Sequence, residues 1–276
     1  MTNEAVSATP EQRVSRGEWS NAEAYEKYIG RWSRPVAREF VSWLRPTDNA
    51  RWLDVGCGTG ALSEAILKWA KGARVTALDR SASYMAYAVR LLAGQNIEFR
   101  EGDALALDLP DESFDFTVSG LMLNFVADAH LAVTQMARVT RRGGTVGAYI
   151  WDYAQGMEFL RAIWKIAFVL DPNAINHDEG HLSPLCGTEP MANLFKNAGL
   201  ANVEARPFVI ETKFPSFDAY WEPFLGGQGT VARYVMSLTP QRRAELQDGV
   251  RKSLTYAEDG SISFNARAWA VRGNRK

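Results

Sequence analysis

A turn built on alternating glycines constrains this chain more than any other feature. The stretch Leu53-Asp-Val-Gly-Cys-Gly-Thr-Gly60 ends an apolar run at residues 50–55, and apolar residues then recur every three or four positions. The run predicts a short buried strand and the recurrence predicts a helix. Glycine adopts backbone angles that other residues resist, and it lets a ligand approach the main chain closely. A strand, a glycine turn and a helix in this order are typical of a βαβ unit that binds a nucleotide-like ligand.

Composition narrows the class of protein further. The chain has 276 residues, 46% of them hydrophobic and 23% charged, as in ordinary soluble globular proteins. Its formal net charge of -1 creates no general attraction for nucleic acid or an anionic membrane. Cys57 and Cys186 lack the spacing of a metal site or a disulfide framework, and no apolar run resembles a secretion signal or a membrane span. We therefore expect a cytoplasmic protein with neither nucleic acid nor membrane as a partner.

Strands and helices alternate through the first half of the chain. Strands are predicted at residues 50–55, 74–78, 97–100, 114–118 and 145–151, with helical periodicity between them. Such alternation is typical of an α/β fold in which a parallel sheet carries helices on both faces. Sheets of this kind bind ligands at the carboxyl ends of their strands, so site residues are expected there.

Two carboxylates stand at such strand ends. Asp79 follows the second strand, and Gly102-Asp103-Ala104 follows the third. An ionised carboxylate at Asp79 can accept both hydroxyls of a ribose. A carboxylate beside a backbone N–H at Asp103 can bind the amino and ring-nitrogen edge of adenine. Asp is also common as a helix or turn cap, which is the alternative interpretation of each residue taken alone.

Taken in order, these features resemble the motifs of a known family. The glycine turn, Asp79, Gly102-Asp103-Ala104 and Phe114-Asp-Phe-Thr-Val-Ser119 are similar to those of class I S-adenosylmethionine-dependent methyltransferases, above all their small-molecule, quinone-biosynthesis-like branch (methyltransferase type 11). The resemblance covers residues 20–152. It implies a Rossmann-like, seven-stranded, mostly parallel sheet with the last strand antiparallel. It also implies an enzyme that uses S-adenosyl-L-methionine and releases S-adenosyl-L-homocysteine.

The resemblance also assigns roles by position. The glycine turn would face the methionine part of the cofactor, Asp79 the ribose, and Asp103 with Ala104 the adenine. Ser119 and Gly120 would border the methionine amino group and the transferred methyl. The implied cofactor contacts are Tyr28, Arg31, Asp54, Gly56, Cys57, Gly58, Gly60, Asp79, Arg80, Met85, Gly102, Asp103, Ala104, Ser119 and Gly120.

Three of these contacts lie outside the motifs at the strand ends. Met85 would pack on the adenine ring. Tyr28 and Arg31 would belong to an N-terminal helix that closes over the cofactor, with Arg31 suited to the methionine carboxylate. A core tyrosine and a surface arginine are the alternative roles for these two.

We expect one methyltransferase domain over residues 1–276. Its predicted parts are a flexible tail (1–17), a helical cap (20–45), a cofactor-binding core (50–152), helical lid insertions (153–200 and 215–256) and a terminal strand hairpin (203–214 and 261–271). The sequence predicts no particular oligomeric state.

The acceptor is predicted to be a small molecule methylated on oxygen, carbon or nitrogen by in-line displacement. A general base is needed only if the acceptor loses a proton, and the candidates are His130 and Asp152, with helix-end packing and a turn as their alternatives. Aromatic residues in the lid suit an apolar or aromatic acceptor, or form the lid's own core: Phe159, Trp164, Phe168, Tyr220, Trp221 and Phe224. His177 and His181 are not predicted to bind a metal, because Gly180 and nearby prolines oppose a helix.

Two other functions compete with this interpretation. Gly56-x-Gly58-x-x-Ala61 with Asp79 also satisfies the loose fingerprint of an NAD(P)-dependent oxidoreductase, although Gly60 and Gly102-Asp103 have no evident use there. A non-catalytic S-adenosylmethionine-binding protein is the other alternative, because a fold alone does not prove turnover. Ser119-Gly-Leu-Met122 differs from the Asn/Asp-Pro-Pro-aromatic motif of methyltransferases that act on base amino groups.

Overall fold

The computed structural model describes residues 22–227 and 229–276, so the predicted tail at residues 1–17 lies outside the described residues. The strands are β1 (Arg51–Val55), β2 (Arg74–Asp79), β3 (Ile97–Glu101), β4 (Phe114–Gly120), β5 (Thr140–Trp151), β6 (Ala201–Phe214) and β7 (Ile262–Asn274). The helices are α1 (Ala22–Tyr25), α2 (Arg31–Leu44), α3 (Ala61–Trp69), α4 (Ala82–Leu91), α5 (Ala129–Val139), α6 (Glu158–Leu170), α7 (Thr188–Asn197), α8 (Phe217–Trp221), α9 (Gly229–Ser237) and α10 (Pro240–Ser253). A π-helical turn, Glu26–Gly30, joins α1 to α2.

The strands form one seven-stranded sheet in the order β3-β2-β1-β4-β5-β7-β6. Neighbours from β3 to β5 are parallel, and β7 runs antiparallel to both β5 and β6. The predicted fold, with its last strand antiparallel, is therefore confirmed. The order of strands reverses between β1 and β4, which is where open α/β sheets bind their ligands.

Both faces of the sheet are buried, which explains why β1 reads as a continuous apolar run. On one face, Trp52 belongs to a core that includes α2, α3 and α6. On the other face, Leu53 and Val55 belong to a core that includes α5 and α7. The central strands are thereby held rigidly between two helical layers, and their carboxyl ends form a fixed platform.

The sequence predicts helices that begin at Ser81 and at about Asp128, and in the structure each of these residues is a helix N-cap. Ser81 caps α4, its hydroxyl accepting the Tyr84 N–H at 3.4 Å. Asp128 caps α5, its carboxylate accepting the Leu131 N–H at 2.8 Å. Side chains of this type satisfy N–H groups that a helix start leaves unpaired.

The N-terminal cap differs from the prediction. The stretch Gly30-Arg-Trp-Ser33 predicts an interruption, with Ser33 as the cap of a second helix, but α1, the π-helical turn and α2 are continuous and Ser33 lies inside α2. Gly30 favours close packing here: a Cβ at this position would lie 2.9 Å from both Glu26 Cδ and Tyr25 Cε1. The glycine therefore lets those side chains fold back over the turn.

The chain beyond β5 completes the two layers. The lid aromatics pack against one another and against β6. The Tyr220 hydroxyl donates a hydrogen bond to the Phe159 carbonyl at 2.6 Å. Helix α7 instead packs against α5, β6 and β7. Among the described residues, no helix combines the length and apolar character needed to cross a membrane.

Candidate active site

The glycine turn is pinned to the neighbouring strand. The Gly56 and Cys57 N–H groups both donate to the Leu78 carbonyl, at 2.7 and 3.0 Å. Gly56, Gly58 and Gly60 have φ of +74°, +53° and +89°, in the left-handed region that favours glycine. A Cβ on Gly56 would lie 2.5 Å from Met122 Cγ, so the turn also needs glycine for space.

Asp79 closes β2 beside this turn. Its carboxylate accepts the Gly58 N–H at 2.8 Å and the Ser81 N–H at 2.7 Å. Burial raises the pKa of Asp79, while these two N–H groups act in the opposite direction. An ionised carboxylate has about four lone-pair sites, so Asp79 keeps acceptor capacity for a ligand's hydroxyls.

Asp54, at the end of β1, is fully buried. One carboxyl oxygen accepts the Ser63 hydroxyl at 2.7 Å, and the other has no hydrogen-bond partner among the described residues. Burial raises the pKa of Asp54 to about 7, with Asp79 adding to the rise and Ser63 opposing it. An unpaired, buried acceptor of this kind fits a cationic ligand group such as an ammonium.

These groups line one central cleft of about 440 Å³ at the reversal of strand order. Seven of the predicted cofactor contacts lie on its wall: Asp54, Gly56, Cys57, Gly58, Asp79, Arg80 and Gly120. They come from the ends of β1, β2 and β4 and from the loops that follow. The structure therefore brings the glycine turn, Asp79 and the end of β4 together on one wall.

Other predicted residues lie away from the cleft wall. Tyr28 is buried with its ring edge-on to Phe224, 5.6 Å between centroids. The Arg31 guanidinium lies over the Trp32 and Phe214 rings, at 4.6 and 4.9 Å from their centroids. Tyr28 thus contacts the lid, and Arg31 contacts β6.

Gly60 and Ser119 adjoin residues of the cleft wall in sequence but do not line the cleft themselves. Gly60 is the residue before α3, and a Cβ there would lie 3.2 Å from the Ala88 Cβ. Ser119 is fully buried in β4, and its hydroxyl has no hydrogen-bond partner among the described residues.

The segment predicted to bind adenine lies at the adjoining strand end. The Gly102 N–H donates to the Asp79 carbonyl at 3.1 Å, which holds this segment beside β2. Asp103 is exposed and its carboxylate accepts the Leu105 N–H at 2.9 Å, a turn interaction, while Ala104 is buried. Met85 is half-buried on α4. These residues are near the cleft without lining it.

The two candidate bases have other surroundings. His130 is exposed near the start of α5 and does not line the cleft. Asp152 is buried, and its carboxylate forms an ion pair with Arg267 at 2.6 Å and accepts the Gln155 N–H at 3.2 Å. These contacts join the end of β5 to β7.

The cleft also contains aromatic residues that the sequence analysis did not assign to it. Tyr149, Trp151 and Tyr153 line it from the end of β5, and Phe125 faces Tyr153 with 6.5 Å between ring centroids. Burial raises the pKa of Tyr149 and Tyr153 well above the usual value, so both hydroxyls stay neutral. An aromatic residue at every second position where a strand ends was the signal available in the sequence.

The N-terminal cap contributes a further wall. Tyr25, Ile29 and Ser33 line the cleft, whereas Tyr28 and Arg31 were the residues predicted from the sequence to do so. Spacing by four places the three lining residues on one helical face, and that spacing was visible in the sequence. Tyr84, on α4, completes this side, with its ring centroid 5.5 Å from that of Tyr25.

The segment that contains His177 and His181 is held in place by the carboxylates of Asp178 and Glu179. Asp178 accepts two hydrogen bonds from Arg161, at 2.6 and 2.9 Å. The buried Glu179 carboxylate accepts the Trp164 indole N–H at 3.1 Å. Within the part of the chain that the structure describes, no group of three or more His, Cys, Asp or Glu side chains is arranged to hold a metal ion.

Known proteins with similar sequences are methyltransferases. The family described as Methyltransferase domain (type 11) matches residues 53–147. A demethylmenaquinone methyltransferase of Roseiflexus castenholzii is 30% identical over 176 residues, which cover 60% of this chain and 74% of that protein. A malonyl-[acyl-carrier protein] O-methyltransferase of Erwinia billingiae is 32% identical over 155 residues, which cover 56% of this chain and 59% of that protein.

Solved structures share the fold at lower identity. The YcgJ protein of Bacillus subtilis superimposes with a TM-score of 0.56 at 17% identity, covering 89% of this chain and 99% of that one. A phosphoethanolamine N-methyltransferase of Haemonchus contortus in complex with S-adenosyl-L-methionine gives a TM-score of 0.59 at 16% identity, covering 100% of this chain and 62% of that one.

Proposed function

Because this chain belongs to the class I S-adenosylmethionine-dependent methyltransferases, we propose that its central cleft binds S-adenosylmethionine and presents the methyl to a small-molecule acceptor. The family membership confirms the enzyme class and the cofactor that were predicted from the sequence. It does not support the oxidoreductase alternative. When bound, the cofactor supplies an activated methyl on a sulfonium, so the protein chiefly orients the partners and excludes water.

One observation carries the proposed placement: Asp79 is held in the cleft wall by the glycine turn itself. Its carboxylate accepts the Gly58 N–H at 2.8 Å, so the proposed ribose ligand and the proposed methionine-side turn are one rigid unit. The unpaired oxygen of Asp54 lies in the same wall and suits the methionine ammonium. The residues present therefore fit both polar ends of this cofactor.

The predicted adenine contacts extend this placement towards β3. Asp103 follows β3, whose Glu101 is in register with Asp79 of β2, so the two carboxylates belong to one edge of the sheet. We assign the adenine to this side of the cleft. Asp103→Ala should then weaken cofactor binding, and unchanged affinity would remove Asp103 from the adenine role.

The other end of the cleft is proposed to receive an apolar or aromatic acceptor. Phe125, Tyr149, Trp151 and Tyr153 form its wall. Aromatic faces suit a flat apolar molecule, and they also attract a sulfonium by about 0.5–2 kcal/mol each. Of the relatives, one is named for demethylmenaquinone and one for malonyl-[acyl-carrier protein], and the aromatic wall favours an acceptor of the first kind.

Turnover with a graded acceptor panel tests this proposal. Phenols, quinol precursors, carboxylates and aliphatic amines would each be supplied with S-adenosylmethionine, and S-adenosylhomocysteine release measured. We expect release with phenols or quinol precursors. Release only with small polar acceptors would contradict the aromatic assignment, and tight cofactor binding without any turnover would favour a non-catalytic binding protein.

The roles of His130 and Asp152 as general bases, and a cytoplasmic location, stay predictions. His130→Ala and Asp152→Asn test the first with any acceptor that turns over. If either residue is the base, its variant should lose kcat most at high pH, where the wild-type base is deprotonated, and the difference from wild type should shrink as pH falls. Loss of thermal stability alone in Asp152→Asn would instead indicate that its pair with Arg267 is structural.

A further inference from the structure

Three charged side chains connect the N-terminal cap (residues 22–44) to the helix that follows the glycine turn. Arg34 Nη1 lies 2.5 Å from Glu26 Oε2, and Arg34 Nε lies 2.9 Å from Glu64 Oε2. Glu26 belongs to the π-helical turn of the cap, and Glu64 to the first turn of α3. We call Glu26, Arg34 and Glu64 the clasp.

The cap that the clasp holds is a wall of the cofactor cleft. Tyr25, next to Glu26, lines the cleft, as do Ile29 and Ser33. The Tyr25 ring contacts Tyr84 of α4 at 5.5 Å between centroids. In this conformation the Tyr25 ring joins the cap to α4, so a movement of the cap would separate the two and open this side of the cleft.

Glu26 depends on Arg34 for its position. The Glu26 side chain is only 13% exposed, and its Oε1 atom is buried without a hydrogen-bond partner among the described residues. The carboxyl approaches Gly30 so closely that a Cβ there would lie 2.9 Å from that oxygen. A buried carboxylate without its cation is strongly unfavourable, so losing Arg34 should expel Glu26 and loosen the turn beside Tyr25.

We propose that Arg34 is a positioning residue whose clasp holds the cap closed over the bound cofactor and thereby sets how fast the cofactor leaves. The inference rests on the proposed binding of S-adenosylmethionine in this cleft. Arg34 and Glu64 are 30% and 38% exposed, so dissolved salt reaches and screens the clasp. Cofactor affinity should therefore contain a salt-dependent part that belongs to Arg34.

The test compares Arg34→Met with Arg38→Met by isothermal titration and stopped-flow dissociation of S-adenosylhomocysteine. Arg38 lies one turn further along α2, over the Trp69 ring at 5.0 Å, and does not line the cleft. We expect Arg34→Met to raise the Kd roughly fivefold, mainly through faster dissociation, and Arg38→Met to leave it unchanged. The rise in Kd between about 0.05 and 0.5 M NaCl should be smaller in Arg34→Met than in wild type.

A second variant keeps the test decisive if Arg34→Met folds poorly. Glu26→Gln with Arg34→Met removes the stranded carboxylate together with its partner, and it should show the same faster dissociation and weaker salt response. Wild-type Kd, dissociation rate and salt response in the double variant would overturn the clasp. No binding by the wild-type protein would instead overturn the proposed cofactor site, and the clasp with it.

Discussion

Two buried carboxyl groups, Asp54 and Glu179, have their pKa raised to about 7 chiefly because burial penalises the charged form. Asp54 faces the cleft, whereas Glu179 lies beneath the lid and accepts the Trp164 indole N–H. We therefore expect the same physical cause to make cofactor affinity depend on pH through Asp54, and fold stability depend on pH through Glu179.

Asp54 predicts that cofactor binding strengthens as pH rises through about 7. Below that pH the carboxyl is protonated and must ionise to pair with the ligand's ammonium, which costs up to about tenfold in affinity per pH unit. The measurement is the Kd of S-adenosylhomocysteine by titration calorimetry between about pH 5.5 and 8. Asp54→Asn should bind more weakly and without this pH dependence, and a pH-independent wild type would contradict the role.

Glu179 predicts that the fold is less stable at neutral than at mildly acidic pH. Its folded pKa of about 7 exceeds its ordinary value of 4.5, so the folded state binds more protons between these pH values. The stabilising contribution of Glu179 is therefore fully present below about pH 4.5 and is lost as pH rises through about 7. Glu179→Gln should remove this loss and raise the free energy of unfolding near pH 8 by up to about 3 kcal/mol.

Denaturant unfolding of Glu179→Gln across that pH range checks the sign. Glu98→Gln is the matched control, because Glu98 is an exposed carboxylate beside Arg100 on β3. We expect the control to follow the wild-type curve. A Glu179→Gln variant that is less stable than wild type at pH 8 would show that the carboxylate is favourable where it lies.

Single residues differ in how far the sequence reveals them. Asp79 was predicted because a polar residue directly after an apolar run must stand at a strand end. Tyr25 was missed in favour of Tyr28, because which face of a helix meets the cleft depends on the π-helical turn between α1 and α2. The alternating aromatics of β5 were missed because apolar residues there also read as ordinary core.

At the scale of elements, Gly56, in the turn between β1 and α3, can be compared with Gly94, which has a similar φ. The comparison distinguishes backbone strain from steric crowding. Gly56 and Gly94 have φ of +74° and +77°, but a Cβ would meet Met122 at Gly56 and nothing within 4 Å at Gly94. Gly94→Ala should therefore cost about 1 kcal/mol of stability through backbone strain alone. Gly56→Ala should cost more and also displace Met122, a cleft residue.

Thermal unfolding and S-adenosylhomocysteine titration of both variants make this comparison. Gly94→Ala should keep wild-type affinity, and Gly56→Ala should lose it along with stability. Equal loss of stability with equal affinity in the two variants would mean that the turn does not need a bare backbone at Gly56.

The elements themselves were predicted best where local and tertiary preferences agree. β1 is short and apolar because both of its faces are buried, so its residues alone identify it. The cap was predicted to break between Gly30 and Ser33, because Ser33 suits the N-cap of a second helix with Pro35 in its first turn. The break is absent because Gly30 packs against Tyr25 and Glu26, a contact that helix propensity cannot express.

For the whole molecule, the alternation of strands and helices predicted a parallel sheet with helices on both faces, and the seven strands with the last one antiparallel followed from the family resemblance. The lid was harder to predict, because its packing depends on contacts between distant segments, such as the hydrogen bond from Tyr220 to Phe159. Five of its six aromatics lie in the core and Phe168 packs against that core, and none of the six lies on the cleft wall. The aromatic end of the cleft, where we propose that the acceptor binds, is consequently built by β5 and the β4 loop.

Calorimetric titration of the wild-type protein and Asp79→Ala with S-adenosylhomocysteine tests the proposed cofactor site most directly. The wild type should bind with measurable heat, and Asp79→Ala should bind at least about tenfold more weakly, because it loses the ribose ligand that Gly58 and Ser81 hold in place. Glu98→Ala, on the next strand, should bind like the wild type. Unchanged affinity in Asp79→Ala, or heat from wild type with NADH and none with S-adenosylhomocysteine, would contradict this assignment of the cleft.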